Sequence, residues 1–322
     1  MLMLATRASH GEAAERRTYR VGVLGLDSSD EDYPEWKEFV AELARRGFSE
    51  GESVTFVRRY CGWDLTRLDS MAAELVAMRV DLIYAYGGTR ATQAAKKATS
   101  TIPIVFLGSD DPVGYRLVAT LARPGGNVTG TSGLGNETAA KRVEILVEAI
   151  RGSRNLTLAC VQPRRVRDFP TFGARQDAQS AASRSLGARL EYIDADSVEQ
   201  LESSLERLGR QQVGGVLFDE DEIWAHERAR IASMFVRQRL AAMSDRRDFV
   251  AAGMLMSYSI SGVDLARKAA VNVDRILSGA HPADLPVEQV SKWDFVINLK
   301  AATLLGLKIP QSTLQRADEV IQ

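Results

Sequence analysis

The feature that most constrains the fold is an alternation of short apolar runs with longer segments of helical periodicity. Tyr19 to Leu26 is apolar and β-branched and is followed by Asp27, which predicts a buried strand. Apolar residues at helical spacing follow in Pro34 to Arg46, and Gly47 is typical of a helix C-cap. Apolar strands that alternate with helices indicate a parallel sheet covered on both faces. The sequence therefore predicts an α/β fold.

The alternation begins again after the Gly-Gly-Asn loop at 125–127 and so divides the chain into two halves. The first half has further strand-like runs at Ser53 to Tyr60, Asp81 to Tyr86 and Ile102 to Leu107. The second half has them at Leu156 to Val161, Arg189 to Ile193 and Val213 to Phe218. A chain of 322 residues is too long for one typical core. We therefore expect two α/β lobes of similar size.

Charge and cysteine content exclude several classes of protein. Lys plus Arg total 41 and Asp plus Glu total 42, so there is no basic excess for a nucleic-acid partner. No run of 18 apolar residues occurs, so no membrane-spanning helix is predicted. Cys61 and Cys160 lie in different halves and do not indicate a disulfide framework. Residues 1–18 are expected to be a leader, either the remnant of a secretory signal or an unstructured segment.

The sequence lacks the complete motifs of catalytic, cofactor and metal sites. Gly87-Gly88-Thr89 has no Lys-Ser/Thr of a P-loop, and the glycines around 133–135 make an incomplete dinucleotide fingerprint. The acidic run Asp219 to Glu222 lacks the glycine of a calcium loop and is expected to cap the following helix. We therefore expect no catalytic residue, no cofactor and no metal.

Candidate ligand-binding residues follow from position, because ligands of open parallel sheets bind beyond the carboxyl ends of the strands. Residues that come directly after predicted strands are Ser28, Ser29, Gly88, Thr89, Asp110 and Asp219. At Thr89 a helix N-terminus would attract a carboxylate by about 0.3–1 kcal/mol, and by up to ~2 kcal/mol when partly buried. The alternatives remain that Thr89 is only an N-cap and Asp110 only a turn residue before Pro112. Trp36 and Tyr258 are candidates for the wall of a cleft or for the core.

Several long segments resemble one family, the ABC transporter substrate-binding proteins typified by tryptophan/tyrosine uptake. The first is Thr101 to Gly130, TIPIVFLGSDDPVGYRLVATLARPGGNVTG. The others lie near the C-terminus: Phe249 to Tyr258, Pro282 to Gln289, Phe295 to Lys300 and Arg316 to Ile321. The resemblance extends from about Tyr19 to Gln322, which is nearly the whole chain.

This resemblance implies a type I periplasmic-binding-protein architecture, with two Rossmann-like lobes, three crossovers and a cleft at the hinge. It implies an aromatic amino acid or a similar small carboxylate as ligand, an ABC permease as partner, and export to the periplasm. Three segments depart from the family's usual Gly-Thr-Pro, Asn-Pro and Met-Tyr-Glu, namely Gly88-Thr89-Arg90, Gln162-Pro163 and Met243-Ser244-Asp245. Gln162 and Asp245 are therefore further ligand-binding candidates.

The expected lobes are 19–127 plus 255–282 for the first and 128–254 plus 283–322 for the second. The expected function is that of the substrate-binding component of an ABC importer, a monomer that catalyses no reaction. The alternative is a two-lobed α/β enzyme acting on a small molecule in the same cleft. A transcriptional regulator with this sensor fold would need an N-terminal DNA-binding module, and only about 18 residues precede the first strand.

Overall fold

The chain forms two α/β lobes, each built on its own sheet. The computed structural model describes residues 17–27, 33–133, 135–152, 155–219, 224, 227–290 and 292–322. The candidates Ser28 and Ser29, residues 1–16 of the expected leader, and residues 220–222 of the acidic run lie outside the described residues.

The sheet of the first lobe is parallel at every pairing of its strands. Its strands, in spatial order, are Glu288–Gln289 (β11), Val128–Ser132 (β5), Ile104–Phe106 (β4), Leu82–Ala85 (β3), Tyr19–Gly25 (β1) and Val54–Tyr60 (β2). The inner strands β3 and β4 are buried along their whole length, because helices cover both faces. This burial explains why they appear in the sequence as continuous apolar runs.

Two pairs of helices cover this first sheet. One face packs against Pro34–Arg45 (α1) and Gly262–Leu277 (α9), and the other against Leu68–Ala77 (α2) and Gly88–Ala98 (α3). The segment Leu65–Arg67, which precedes α2, is a 3-10 turn in which the Asp64 carboxylate accepts a hydrogen bond from Thr66 N at 3.1 Å. This bond caps the N-terminal end of the turn, and α2 follows directly at Leu68.

The sheet of the second lobe is mixed, because the strand Trp293–Asn298 (β12) runs antiparallel to the strand Met256–Ile260 (β10). Its strands, in spatial order, are Glu319–Ile321 (β13), Trp293–Asn298 (β12), Met256–Ile260 (β10), Ala242–Ser244 (β9), Gly215–Phe218 (β8), Thr157–Gln162 (β6) and Arg189–Asp194 (β7). Its helices are Gly135–Ile150 (α4), Phe172–Ser185 (α5), Val198–Arg210 (α6), Arg228–Arg237 (α7), Arg247–Ala251 (α8), Leu299–Leu304 (α10) and Gln311–Leu314 (α11).

In the described parts of the chain, successive elements change lobe at three points. These are between β5 and α4, between β10 and α9, and between β11 and β12. These three changes of lobe agree with the three crossovers that the family resemblance implies. Since the lobes share these short connections, the cleft between them lies next to a hinge.

The strands beside the crossovers differ from the expected lobe boundaries. The expected boundary at residue 128 assigns β5 to the second lobe, but Val128 pairs with Ile104 in the first sheet. The expected boundary at 255 assigns β10 to the first lobe, but Met256 pairs with Met243 in the second sheet. β11 returns to the first sheet, where Glu288 pairs with Thr131. Each crossing strand completes the sheet it leaves before the chain changes lobe, which local sequence does not reveal.

Candidate ligand-binding cleft

A cavity of about 640 Å³ lies between the two lobes. The first lobe contributes the start of α3 and the loop after β4, and the second contributes the segment before α5 and the loop after β9. Small-molecule sites in proteins commonly measure about 300–1,000 Å³. The cleft is therefore large enough for a ligand of the size of an amino acid.

The N-terminus of α3 forms one wall of the cavity at Gly87, Thr89 and Arg90. Gly88 has a φ of +57°, and a Cβ there would lie 3.2 Å from the carbonyl oxygen of Gly108, so the turn into the helix favours glycine. The Thr89 hydroxyl is paired with the Ser109 hydroxyl at 2.9 Å. The first backbone N–H groups of a helix have no intrahelical acceptor, so this wall presents hydrogen-bond donors.

Asp110 follows β4 and is open to solvent through the cavity. The walls of the cavity nevertheless desolvate its carboxyl group in part, and this desolvation raises its pKa, although Arg175 and Arg142 act to lower it. A Cβ on Gly135 would lie 3.0 Å from the Asp110 Cγ, so the glycine allows the crossover to pass close to this carboxylate. The turn itself is capped by the neighbouring residue, since Asp111 Oδ1 accepts from Gly114 N at 2.8 Å. Asp110 is thus free to face the ligand space.

Beneath the cavity, the second lobe contains a buried charged triad of Arg142, Asp219 and Arg175. Arg142 Nη2 lies 3.0 Å from Asp219 Oδ1, and Arg175 Nη1 lies 3.4 Å from Asp219 Oδ2. Burial alone would raise the pKa of Asp219, but the two guanidinium groups outweigh this desolvation and the pKa is lowered. The Cys160 sulfur lies 3.8 Å from the same carboxylate, and burial raises the pKa of this thiol well above its usual range.

Buried nitrogen atoms without a hydrogen-bond partner among the described residues occur in this part of the second lobe. Three of them are Arg175 Nη2, Arg142 Nε and Gln162 Nε2. Gln162 ends β6 next to β8, where Val161 pairs with Phe218 just before Asp219. All three atoms are donors, and Arg175 also lines the cavity. This side of the cleft therefore favours a group that accepts hydrogen bonds.

The lobes contact each other at the rim of the cavity. Tyr115 of the first lobe meets the Phe169 ring of the second edge-on, with centroids 6.2 Å apart, and its hydroxyl is hydrogen-bonded to Thr171. The Arg90 guanidinium lies 5.4 Å from the centre of the Phe169 ring. A second interlobe contact joins Tyr33 to Arg228. These contacts close the cleft around the cavity.

The structure brings some of the predicted residues together at the cavity and places others elsewhere. Thr89, Asp110 and Asp245 line it, while Gly88 adjoins Thr89, and Gln162 and Asp219 lie in the second lobe beneath it. Asp219 therefore pairs with two arginines rather than lining the ligand space.

The two aromatic residues that were candidates for the wall of a cleft or for the core do not line this cavity. Trp36 is 5% exposed and packs against Phe39 and Phe56, with ring centroids 5.5 and 5.0 Å apart. Tyr258 is half-buried against Phe295 at 6.1 Å. Both aromatics belong to the cores, because helix α1 and strand β10 turn them towards apolar neighbours.

Sequence reasoning missed Arg175, Tyr115 and Phe169. Tyr115 lies inside the segment that carries the family resemblance, and Arg175 lies in the first turn of the helix that follows the Gln162-Pro163 loop. The helix-start argument applied to Thr89 could have drawn attention to Arg175. Its pairing with Asp219, however, is visible only in the folded chain.

In the part of the chain that the structure describes, no group of three or more His, Cys, Asp or Glu residues is placed to hold a metal ion. No helix there combines the length and the apolar character needed to cross a bilayer.

A family model described as ABC transporter substrate binding protein matches residues 21–321 of the chain. The chain is similar to a tyrosine-binding protein of Clostridioides difficile, with 25% identity over 88% of this chain and 80% of that protein. It is also similar to an ABC domain from Streptococcus pneumoniae solved in complex with L-Trp, with 27% identity, a TM-score of 0.82, and coverage of 94% of this chain and 100% of that one. A conserved domain protein from Vibrio cholerae has 23% identity, the same TM-score of 0.82 and the same coverage, 94% of this chain and 100% of that one, and shows the shared fold.

Proposed function

Since the chain belongs to the family of ABC transporter substrate-binding proteins, we propose that it captures an aromatic amino acid in the cleft and presents it to a membrane permease. The observation that carries this proposal is the interlobe cavity, where the N-terminus of α3 and the carboxylate of Asp110 line the same space. One provides donors for an anion and the other a negative charge for a cation. This pairing suits the zwitterionic head of an amino acid.

The ligand's carboxylate is assigned to the backbone N–H groups at the start of α3, around Gly88 and Thr89. The partial positive charge of a helix N-terminus stabilises an anion by about 0.3–1 kcal/mol, and by up to ~2 kcal/mol in partly buried sites. The ligand's ammonium is assigned to Asp110. A hydrogen bond to a charged group contributes about 1.5–3 kcal/mol, so this pair would supply much of the selectivity for amino acids.

The aromatic side chain of the ligand is assigned to the apolar part of the cavity, where Tyr115, Val166, Phe169 and Pro170 lie. Aromatic pairs contribute about 0.5–1.5 kcal/mol beyond the area they bury. The similarity to a tyrosine-binding protein and to an L-Trp complex supports this ligand class. In this proposal the protein works outside the cytoplasm as a monomer and releases its ligand unchanged.

Ligand binding is expected to stabilise the folded protein. A ligand at one hundred times its dissociation constant adds about 2.7 kcal/mol of stability. Each kcal/mol raises the melting temperature by about 2–4 °C for a unit of 150–250 residues. Tyrosine, tryptophan and phenylalanine should therefore each be tested for a rise of roughly 5–11 °C. Sugars and polyamines are the controls, and a shift with a sugar alone would contradict the ligand class.

The competing function is a two-lobed enzyme that acts on a small molecule in the same cleft. Native mass spectrometry of the complex, followed by recovery of the ligand, separates the two functions. A binding protein returns tyrosine unaltered after prolonged incubation, whereas accumulation of a product would contradict the binding role.

A further inference from the structure

We propose that Arg175 is the residue through which the second lobe binds the ligand, and that its guanidinium holds the ligand's α-carboxylate against the N-terminus of α3. The inference rests on the proposed function, since it takes an α-amino acid as the ligand. It adds a direct contact in the second lobe that selects for the free acid.

The first observation is an unused donor. Arg175 lines the cavity, and its Nη2 atom is buried with no hydrogen-bond partner among the described residues. A buried donor that lacks an acceptor is costly, and the cost is higher for a charged group. A ligand oxygen at this position would remove that cost, so the ligand-bound state is favoured.

The second observation is the way in which the guanidinium is held. Arg175 Nη1 lies 3.4 Å from Asp219 Oδ2, while Asp219 Oδ1 is shared with Arg142 at 3.0 Å. The side chains of Arg142 and Asp219 are only 6% and 3% exposed, so their positions are set by the surrounding core. The Arg175 guanidinium is thus held by Asp219 through Nη1, while Nη2 has no partner among the described residues and the side chain lines the cavity. Such an arrangement is pre-organised for a planar carboxylate.

The third observation is the distribution of charge around Arg175. Asp110 and Asp245 also interact with it electrostatically, and both line the cavity. The cavity thus has both a guanidinium and carboxylates in its walls. These charges are complementary to an α-amino acid, whose carboxylate and ammonium are bonded to the same carbon. A ligand that carries only negative charge would be repelled by Asp110 and Asp245, so a zwitterion fits the cavity better.

The consequence concerns closure of the cleft. Arg175 belongs to the second lobe and α3 to the first, so a carboxylate that touches both is fully bound only when the lobes are closed. A ligand shifts a conformational equilibrium only by its difference in affinity for the two states. An amino acid amide lacks the negative charge, so it should bind weakly and close the cleft poorly.

The test compares L-tyrosine and L-tryptophan with their amides, using titration calorimetry on wild type and Arg175→Met. Wild type should bind each acid more tightly than its amide. Arg175→Met should lower the affinity for the acids by about 10- to 100-fold and change the affinity for the amides little. The preference for the acid over the amide should therefore be lost. Arg184→Met removes an exposed arginine near the end of the same helix and should leave both affinities unchanged.

Arg175→Lys keeps the positive charge, so it still tests the inference if Arg175→Met does not fold. It should retain part of the preference for the acid, because an ammonium cannot reproduce the planar fork of arginine. Unchanged affinity of either Arg175 variant for tyrosine, or equal losses for acid and amide, would overturn the inference while leaving the proposed function in place. If wild type binds none of the aromatic amino acids, the proposed function fails and this inference fails with it.

Discussion

On the face of its sheet that α1 and α9 cover, the first lobe has an aromatic core, whereas the second lobe has buried ion pairs beneath the cavity. In the first lobe, Phe39 and Tyr84 stack with centroids 4.0 Å apart, and Trp36 packs beside them. In the second lobe, Arg142, Asp219 and Arg175 depend on one another for compensation of charge. The first lobe offers backbone donors on an apolar support, and the second offers charged side chains. We therefore expect the effects of mutation on stability to depend on pH in the second lobe and not in the aromatic core of the first.

The largest expected effect is that of Asp219→Ala. Removal of the shared carboxylate leaves two buried guanidinium groups without compensation, which should lower the free energy of unfolding by about 3–5 kcal/mol. Phe39→Ala in the first lobe should cost a similar amount, about 3–5 kcal/mol, through lost packing. Urea unfolding at several pH values distinguishes the two causes.

The pH dependence of this pair follows from the lowered pKa of Asp219. The stabilisation by Asp219 is present above the unfolded carboxyl value of 3.8 and is lost as pH falls through the lower folded value. The cost of Asp219→Ala should therefore shrink in acid, whereas that of Phe39→Ala should not shrink in this way. Equal pH dependence of the two variants would contradict the contrast between the lobes.

Replacing the whole triad should have the opposite sign. With Arg142→Met, Asp219→Leu and Arg175→Met combined, no charge within the triad is left unpaired, and such replacements are often neutral or stabilising by about 1–4 kcal/mol. Tyrosine affinity should nevertheless fall, because the guanidinium of Arg175 is gone. A triple variant that is as unstable as Asp219→Ala would show that the packing of these side chains matters more than their charge.

Asp110→Asn should separate stability from binding. The raised pKa of Asp110 means that its contribution to stability is full below 3.8 and is lost as pH rises through the higher folded value. The ligand-free variant should therefore be more stable than wild type at neutral pH. Its affinity for tyrosine should fall by about 1.5–3 kcal/mol, because the ammonium loses a charged acceptor. Calorimetry and thermal unfolding on the same samples check both halves, and tighter binding would refute the assignment.

The smallest expected effect is at the start of α3. Thr89→Pro removes one backbone donor and should weaken binding by about 0.5–1.5 kcal/mol, since proline is tolerated in the first turn of a helix. Thr89→Ala keeps the N–H and loses only the hydroxyl that pairs with Ser109, so it is the milder control. If wild type and Thr89→Pro bind tyrosine with equal affinity, the assignment of α3 to the binding site is wrong.

The candidate site was predictable where local pattern and position sufficed. Thr89 and Asp110 follow strands of a parallel sheet, and the position of such residues follows from strand direction alone. Trp36 was ambiguous, because helical spacing does not say whether an aromatic faces a core or a cleft. Arg175 was missed, because its importance comes from Asp219, which lies on another strand and is reached only through the fold.

The sequence by itself determined the α/β class, the two halves and a helix start beside Thr89, which lies at Gly88 in the structure, because these depend on periodicities and turn residues that are local in the chain. Only the tertiary structure decided that β5 completes the first sheet, that β10 joins the second, and that Asp110 and Arg175 share one cavity. Those facts depend on the order of strands and on the crossovers at the hinge. Pairing between distant strands is set by the packing of whole sheets, and no short stretch of sequence encodes it.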